Sequence, residues 1–219
     1  YGLDSLDNNY VLQKAYNEKY IYYAIRTHSF VSHKFNAQHT IKAGVYYSHL
    51  FFDIFSEGLR FDINKVAVFF DDRGSGGLLQ GYFNWKFRVT DKIEMVTGLH
   101  AIYFLFNKSY NLEPRWAIKY KVHPRHAVSL GAGIHSRVEP ISTYMSRLQI
   151  DSVTYTQPNR NLELSKSVHL VTGYDWSFAE NFRLKSEIYF QYLYNVPVAN
   201  DSGSIISALN LSSGYTDKT

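Results

Sequence analysis

The chain has 219 residues and a formal net charge of +4, and although 45% of its residues are apolar, no apolar run approaches the 18 or more residues of a transmembrane helix. A helical membrane protein is therefore excluded. The 23 Lys and Arg are dispersed among 19 acidic residues, which argues against nucleic-acid binding, and the absence of cysteine excludes a disulfide framework or thiolate site.

Polar and apolar residues alternate in eight segments that are each long enough to cross a tilted bilayer as a strand. In chain order these segments cover residues 19–31, 38–54, 79–89, 92–106, 111–122, 126–138, 167–178 and 181–194. No helical period of useful length appears. The sequence therefore predicts an all-β fold with little helix.

The segment at 79–89 shows the alternation most clearly. One face carries Leu79, Phe83, Trp85, Phe87 and Val89. The opposite face carries Gln80, Tyr82, Asn84, Lys86 and Arg88. On other segments, small residues fall in the polar register, and we expect them to leave room inside: Gly98, Gly131, Gly133 and Gly173.

The predicted connections alternate between short and long. Tight turns are expected at Lys34–Ala37, Thr90–Lys92, His123–Arg125 and Ala179–Asn181, which contain Asn, Asp, Pro and Lys. Longer loops are expected at 55–78 and 139–166, with a tail from 196 and one short connection near Asn107. Short turns at one rim and long loops at the other are typical of transmembrane barrels.

Two features fall inside the predicted loop at 55–78. The run Asp71–Gly77, DDRGSGG, reads as a loop tip, because it lacks the lysine and the following helix of a phosphate-binding loop. The apolar run Val66–Phe70 is expected to form an extra strand segment.

Segment length and aromatic placement favour a membrane barrel over a soluble β-sandwich, whose strands average about five or six residues. Aromatic residues cluster toward segment ends, where interfacial girdles are expected: Tyr20, Tyr22, Tyr23, Phe51, Phe52, Phe55, Tyr103, Phe104, Phe106, Tyr189, Phe190, Tyr192 and Tyr194. Eight strands could close into a small barrel, but long charged side chains on the polar faces suit a wide, wet or plugged lumen better. The prediction is an antiparallel transmembrane β-barrel segment.

Two stretches of the second half resemble TonB-dependent receptors of the Bacteroidetes type. They are LEPRWAIKYKVHPRHAVSLGAGIHSRVEPISTYM (Leu112–Met145) and PNRNLELSKSVHLVTGYDWSFAENFRLKSEIYFQYLYNVPV (Pro158–Val198), and SIISALN (Ser204–Asn210) looks like the start of the loop that follows. In that family a plug domain sits inside a 22-stranded outer-membrane barrel, and an inner-membrane energy-transducing complex drives import of an extracellular ligand.

The resemblance implies that residues 1–219 are an internal part of one barrel domain, without the plug or the closing strands. Its partners would be outer-membrane lipid, its own plug, the TonB complex and an unidentified nutrient. The alternatives are a complete eight-stranded outer-membrane barrel with a structural or adhesive role, and a soluble β-sandwich binding module.

Neither catalysis nor a resident metal or cofactor is predicted. The nine histidines show no HExxH or other ligand spacing, and Ser136 beside His135 should point to the opposite face of a strand. The polar register instead predicts lumen-facing residues: Glu94, His100, Glu113, Arg115, His135, Arg137, His169, Asp175, Lys185 and Glu187. Glu113 and Arg115 are the strongest candidates, since they belong to the EPR word of the family resemblance.

Overall fold

A computed structural model describes residues 2–6, 12–60, 65–149 and 154–198, with side chains for 16–59, 65–147 and 154–198. The predicted tail beyond residue 198 and the SIISALN word lie outside these ranges. The described chain is all-β and forms an antiparallel sheet that curls into half a barrel. This confirms the predicted fold class.

Nine strands form the main sheet, and each long strand pairs with its neighbour in sequence. They are β1 (Gly2–Leu6), β2 (Leu12–Lys34), β3 (His39–Arg60), β4 (Lys65–Arg88), β5 (Ile93–Phe104), β6 (Ser109–His123), β7 (His126–Arg137), β10 (Ser165–Ala179) and β11 (Phe182–Tyr194). Between β7 and β10 lie α1 (Ile141–Met145), the paired β8 (Leu148–Gln149) and β9 (Tyr155–Thr156), and the 3-10 helix η1 (Pro158–Asn161).

The eight predicted strand segments and the four tight turns all appear. Side chains close two of the turns: Asn36 Oδ1 accepts the backbone N–H groups of Gln38 and His39 at 2.8 Å, and Thr90 Oγ1 accepts that of Ile93 at 3.1 Å. Asn and Thr side chains stabilise turns in this way because they substitute for a backbone acceptor.

The predicted loop at 55–78 is wrong. Strand β3 continues to Arg60 and β4 begins at Lys65, and the two remain paired to that point, with a bulge between Ser56 and Glu57. The run Asp71–Gly77 is therefore the middle of β4 rather than a loop tip. The run Val66–Phe70 is strand, as predicted.

The pairing register defines two faces of the sheet. Lys42, Asn84, Gly98, Arg115, Gly133, His169 and Gln191 are successive cross-strand partners and therefore share one side, here called the polar face. The residues between them in sequence form the apolar face. The sheet does not close within the described residues, where its edges are β1 and β11. It forms neither a complete eight-stranded barrel nor a sandwich there.

Within the described ranges, no helix is long and apolar enough to span a membrane.

Candidate functional site on the polar face

The register puts all ten predicted site residues on the polar face. His100 pairs with Glu113, Asp175 pairs with Lys185, and Gly173 pairs with Glu187. The remaining members follow from the same alternation along β5, β6, β7 and β10. The structure brings only some of them into contact.

A buried carboxylate organises the centre of this face. Glu113 is 1% exposed, and its Oε2 lies 2.9 Å from His100 Nδ1 and 2.5 Å from an Arg115 guanidinium nitrogen. Its Oε1 accepts the Ser136 backbone N–H at 2.8 Å and the Ser136 hydroxyl at 2.5 Å. A buried carboxylate is tolerated only when its oxygens are satisfied in this way.

Local backbone chemistry explains why Glu113 is placed there. Pro114 has no N–H to give to a ladder, and the pairing of β6 with β7 runs only as far as Arg115 and Gly133. Beyond that point the strands separate, and the Glu113 carboxylate takes the place of a backbone acceptor for Ser136. We call Glu113, His100, Arg115 and Ser136 the carboxylate centre.

Ser136 is a member of this centre that the sequence reasoning missed. Strict alternation places it on the face opposite His135, but the loss of pairing at Pro114 lets its hydroxyl reach Glu113. A signal for the His100 partnership was present in the sequence. Residues equidistant from the short connection near Asn107 must face each other across the β5–β6 hairpin, and His100 and Glu113 satisfy that condition.

Of the four glycines expected to leave room inside, Gly98, Gly133 and Gly173 do not, because neighbouring side chains lie across them, whereas Gly131 meets only contacts of ordinary length. A Cβ on Gly133 would lie 3.1 Å from Arg115 Cγ, and one on Gly44 would lie 2.7 Å from the Tyr82 hydroxyl. Asn84 covers Gly98 in the same manner, and the Ser129 hydroxyl covers Gly173. The glycines therefore let polar side chains lie flat against the sheet.

Other predicted residues form separate ion pairs nearer the short turns. Glu94 pairs with Lys86 at 2.9 Å, and Lys185 pairs with Glu187 at 2.6 Å. Asp175 accepts from Lys119 at 3.0 Å and Arg183 at 2.5 Å. The Lys86–Glu94 and Lys185–Glu187 pairs are largely solvent-exposed and are worth little individually, whereas the Asp175 carboxylate is 15% exposed and pairs with two cations.

The last three predicted residues lie beside the carboxylate centre. The rings of His135 and His169 are 4.6 Å apart, and His169 contacts the Ser167 hydroxyl at 2.8 Å. Arg137 pairs with the buried Glu139 at 3.2 Å, and Ser165 also donates to Glu139. In the described residues, no group of three or more His, Asp or Glu side chains is arranged to hold a metal.

Residues 138–149 and 154–164, which we call the strap, cover the polar face at the end opposite the short turns. Tyr144 of α1 is fully buried against Phe104 and Phe106, with ring centroids 5.5 and 5.9 Å apart, and Leu162 and Leu164 complete this cluster. Burial raises the pKa of Tyr144 to about 12. Phe104 and Phe106, predicted as interfacial girdle residues, are instead packed against the strap.

Polar contacts fix the far side of the strap to β4. Met145 joins a second apolar cluster with Phe52, Ile54 and Phe70. The Arg147 N–H donates to the Phe69 carbonyl at 2.9 Å, and its guanidinium pairs with Asp72 at 3.3 Å. The strap therefore crosses the concavity of the half-barrel from β7 to β4 before returning to β10.

Comparison with known proteins supports the fold. No family model matches the chain, and no curated protein matches it, so the Bacteroidetes-type resemblance finds no support there. Among solved structures, the chain is similar to a variant of the ferric enterobactin receptor from Pseudomonas aeruginosa, with a TM-score of 0.60 and 11% identity over 90% of this chain. It spans only 30% of that receptor's length. The chain therefore has the fold of one part of a receptor barrel.

Proposed function

We propose that this chain is an internal barrel segment of a TonB-dependent outer-membrane receptor that imports a nutrient and performs no catalysis. The observation that carries the proposal is the contrast between the two faces of one curled sheet. From the short turns to the level of Phe51, one face is an exposed apolar surface, and the other is lined by hydrogen-bonded and charged side chains.

Soluble monomers rarely expose a contiguous apolar face of this kind. Across the main sheet it carries exposed large apolar residues: Val31, Val45, Leu79, Phe83, Leu99, Leu112, Trp116, Leu130, Leu170, Leu184, Ile188 and Phe190. Acyl chains would cover this surface without cost, whereas water would not. Outer-membrane lipid is therefore the proposed partner of this face.

The polar face is the proposed lumen wall. A lumen holding water or a plug accommodates the carboxylate centre and the ion pairs around it, which hydrocarbon would not. The plug and the TonB complex are proposed as partners because the words at Leu112–Met145 and Pro158–Val198 resemble TonB-dependent receptors. These words cover β6, β7, β10 and β11, and the Bacteroidetes-type assignment rests on them alone.

The strap is the proposed ligand contact, since it lies at the rim where long connections are expected to face outward. The ferric enterobactin receptor binds the ligand in its name, but a likeness at 11% identity shows the fold and not the ligand. The nutrient of this chain is therefore proposed only as an extracellular small molecule.

A pair of adjacent cysteine substitutions tests the membrane orientation. The chain has no cysteine, so Leu130→Cys and Ser129→Cys each introduce one label into it, on opposite faces of β7. Each cysteine of the full-length protein in outer membranes is spin-labelled, and its collision rates with two relaxation reagents are measured by electron paramagnetic resonance. A label at 130 should collide mainly with oxygen, which dissolves in lipid. A label at 129 should collide mainly with a water-soluble nickel chelate, or with neither reagent. Ile188→Cys and Lys185→Cys repeat the test on β11.

Equal access of the water-soluble reagent to both positions of each pair would refute the membrane orientation. Transport needs a second measurement. Cells lacking the energy-transducing protein should lose growth on the nutrient that the intact receptor supports, and unchanged growth would refute TonB dependence while leaving the barrel orientation standing.

A further inference from the structure

A cavity of about 500 Å³ lies between the strap and the polar face of β2 and β3. Its walls include Tyr22, Leu50, Phe52, Phe104 and Ile141. Its volume falls in the range of about 300–1,000 Å³ that small-molecule sites occupy. The walls are mainly apolar and aromatic, in contrast to the rest of the polar face.

The walls of this cavity are closely packed where they meet the strap. Phe52 and Phe104 are 5% and 1% exposed, and each belongs to one of the two apolar clusters beneath the strap. Tyr22, which also lines the cavity, is 53% exposed. Flat rings on several sides favour a flat, unsaturated guest, because aromatic pairs gain from offset or edge contact beyond area burial.

Among the described residues, one charged side chain that faces the cavity forms no ion pair. Glu139 also lines it, but that carboxylate is already paired with Arg137 and accepts from Ser165. Arg26 lines the exposed β2 side, and within the described residues no carboxylate forms an ion pair with it. A guanidinium that no described carboxylate neutralises, beside an apolar cavity, favours an anionic group on the guest.

A second cavity on the same face has a different chemistry. It holds about 430 Å³ and is lined by polar groups that include His135, Ser167, His169 and Gln191. These groups would be satisfied by water or hydroxyl groups. The apolar cavity is therefore the one that specifies a ligand class.

We propose that the cavity beneath the strap binds a small anion with a flat unsaturated ring, the ring lying among Tyr22, Phe52 and Phe104 and the anionic group meeting Arg26. This deepens the proposed function, on which it rests, by naming the class of nutrient. The ligand would carry a carboxylate or a similar anionic group attached to an apolar ring.

The probe is 2-naphthoate, titrated against the full-length protein in lipid nanodiscs and followed by ligand NMR, with uncharged 2-naphthamide as the matched ligand. Naphthoate should bind about tenfold or more tightly than the amide to the unaltered protein. In Arg26→Gln that preference should vanish because naphthoate binding weakens. Ala24→Trp, which fills the cavity from an exposed position of β2, should abolish binding of both ligands.

Matched controls separate the site from lipid and from general charge. Arg88→Gln removes a polar-face cation at the opposite rim, and Ala117→Trp adds the same bulk elsewhere on that face; both should bind naphthoate as the unaltered protein does. Equal affinity for the two ligands, or equal loss in Arg88→Gln and Arg26→Gln, overturns the proposal.

Failure here is distinguishable from failure of the proposed function. Equilibrium binding needs no energy transduction. Suppose that the labels at 130 and 188 face lipid but naphthoate binding does not depend on Arg26. That result would refute the ligand class and leave the receptor assignment standing.

Discussion

The two ends of the polar face are built differently although the same strands form both. Near the short turns the face carries exposed ion pairs such as Lys86 with Glu94, and few of its side chains are buried. Nearer the strap, the residues of β3 and β5 that point to this same face are Phe52, Ile54, Ile102 and Phe104, and each is at most 5% exposed. The carboxylate centre marks the transition between them.

This difference teaches that the covering of a face, and not the strand itself, sets the chemistry of its side chains. Where the polar face meets solvent, its residues are polar and the alternation is clean. Where the strap covers it, apolar residues such as Ile102 and Phe104 occupy the polar register beside Tyr103 of the opposite face, and the alternation disappears. The solvent-exposed end of the polar face near the short turns, here called the wet end, and the packed end beneath the strap should therefore respond differently to the same kind of substitution.

The largest expected difference concerns two carboxylates. Glu113→Ala would leave Arg115, His100 and Ser136 without their shared acceptor, and we expect a loss of about 3 kcal/mol or more in the free energy of unfolding. Glu94→Ala removes one partner of a solvent-exposed pair and should cost about 0–1 kcal/mol.

Both variants are made in the full-length protein and heated in detergent before gel electrophoresis. The measured quantity is the temperature at which the band of the folded barrel is replaced by the band of the unfolded protein. Glu113→Gln should recover part of the loss, because an amide oxygen still accepts hydrogen bonds. Equal conversion temperatures for Glu113→Ala and Glu94→Ala would contradict the contrast between the buried centre and the wet end.

A smaller effect is expected where a glycine lies under a neighbouring side chain. In Gly98→Ala the new methyl group would collide with the Asn84 amide and the Phe83 carbonyl, so overpacking should cost about 1–3 kcal/mol. Gly81→Ala is the control, since nothing lies within 4 Å of a Cβ at that position. The same gel conversion measures both, and a Gly98→Ala barrel as stable as the Gly81→Ala barrel would show that Asn84 moves freely.

The strands that alternate cleanly were predictable from the sequence, and so were the turns that Asn36 and Thr90 close. The extension of β3 and β4 was not predictable, because Asp71–Gly77 of β4 has no polar–apolar alternation and Ile54 and Phe70 are buried against Met145 of the strap. The composition of the strap does indicate that it is buried. Ile141, Tyr144, Met145, Leu162 and Leu164 are too apolar for a solvated loop.

The membership of the candidate site was predictable only within a hairpin. His100 and Glu113 flank one short connection, so a two-residue period and a turn position suffice to pair them. His135 and His169 meet across β7 and β10, which the strap separates in sequence, and no local pattern fixes that register. The contact of Ser136 with Glu113 was not predicted, because strict alternation assumes a continuous ladder of backbone hydrogen bonds and Pro114 interrupts that ladder.

The smallest expected effect at neutral pH is that of Tyr144→Phe, and it changes with pH. The Tyr144 hydroxyl accepts the Glu139 N–H at 3.3 Å, so its loss should cost the docked strap about 1 kcal/mol. The folded-state pKa of about 12 lies above the unfolded value of about 10, so burial of the neutral phenol stabilises the strap below pH 10, and that contribution is lost as pH rises toward 12. Phenylalanine cannot ionise, so the strap of Tyr144→Phe should not lose this contribution at high pH.

The rate at which an alkaline-active protease cleaves the strap measures the effect. Cleavage should be slower in the unaltered protein than in Tyr144→Phe at pH 8 and faster at pH 12. A constant ratio of the two rates across that range would show that the Tyr144 hydroxyl is not buried with the strap.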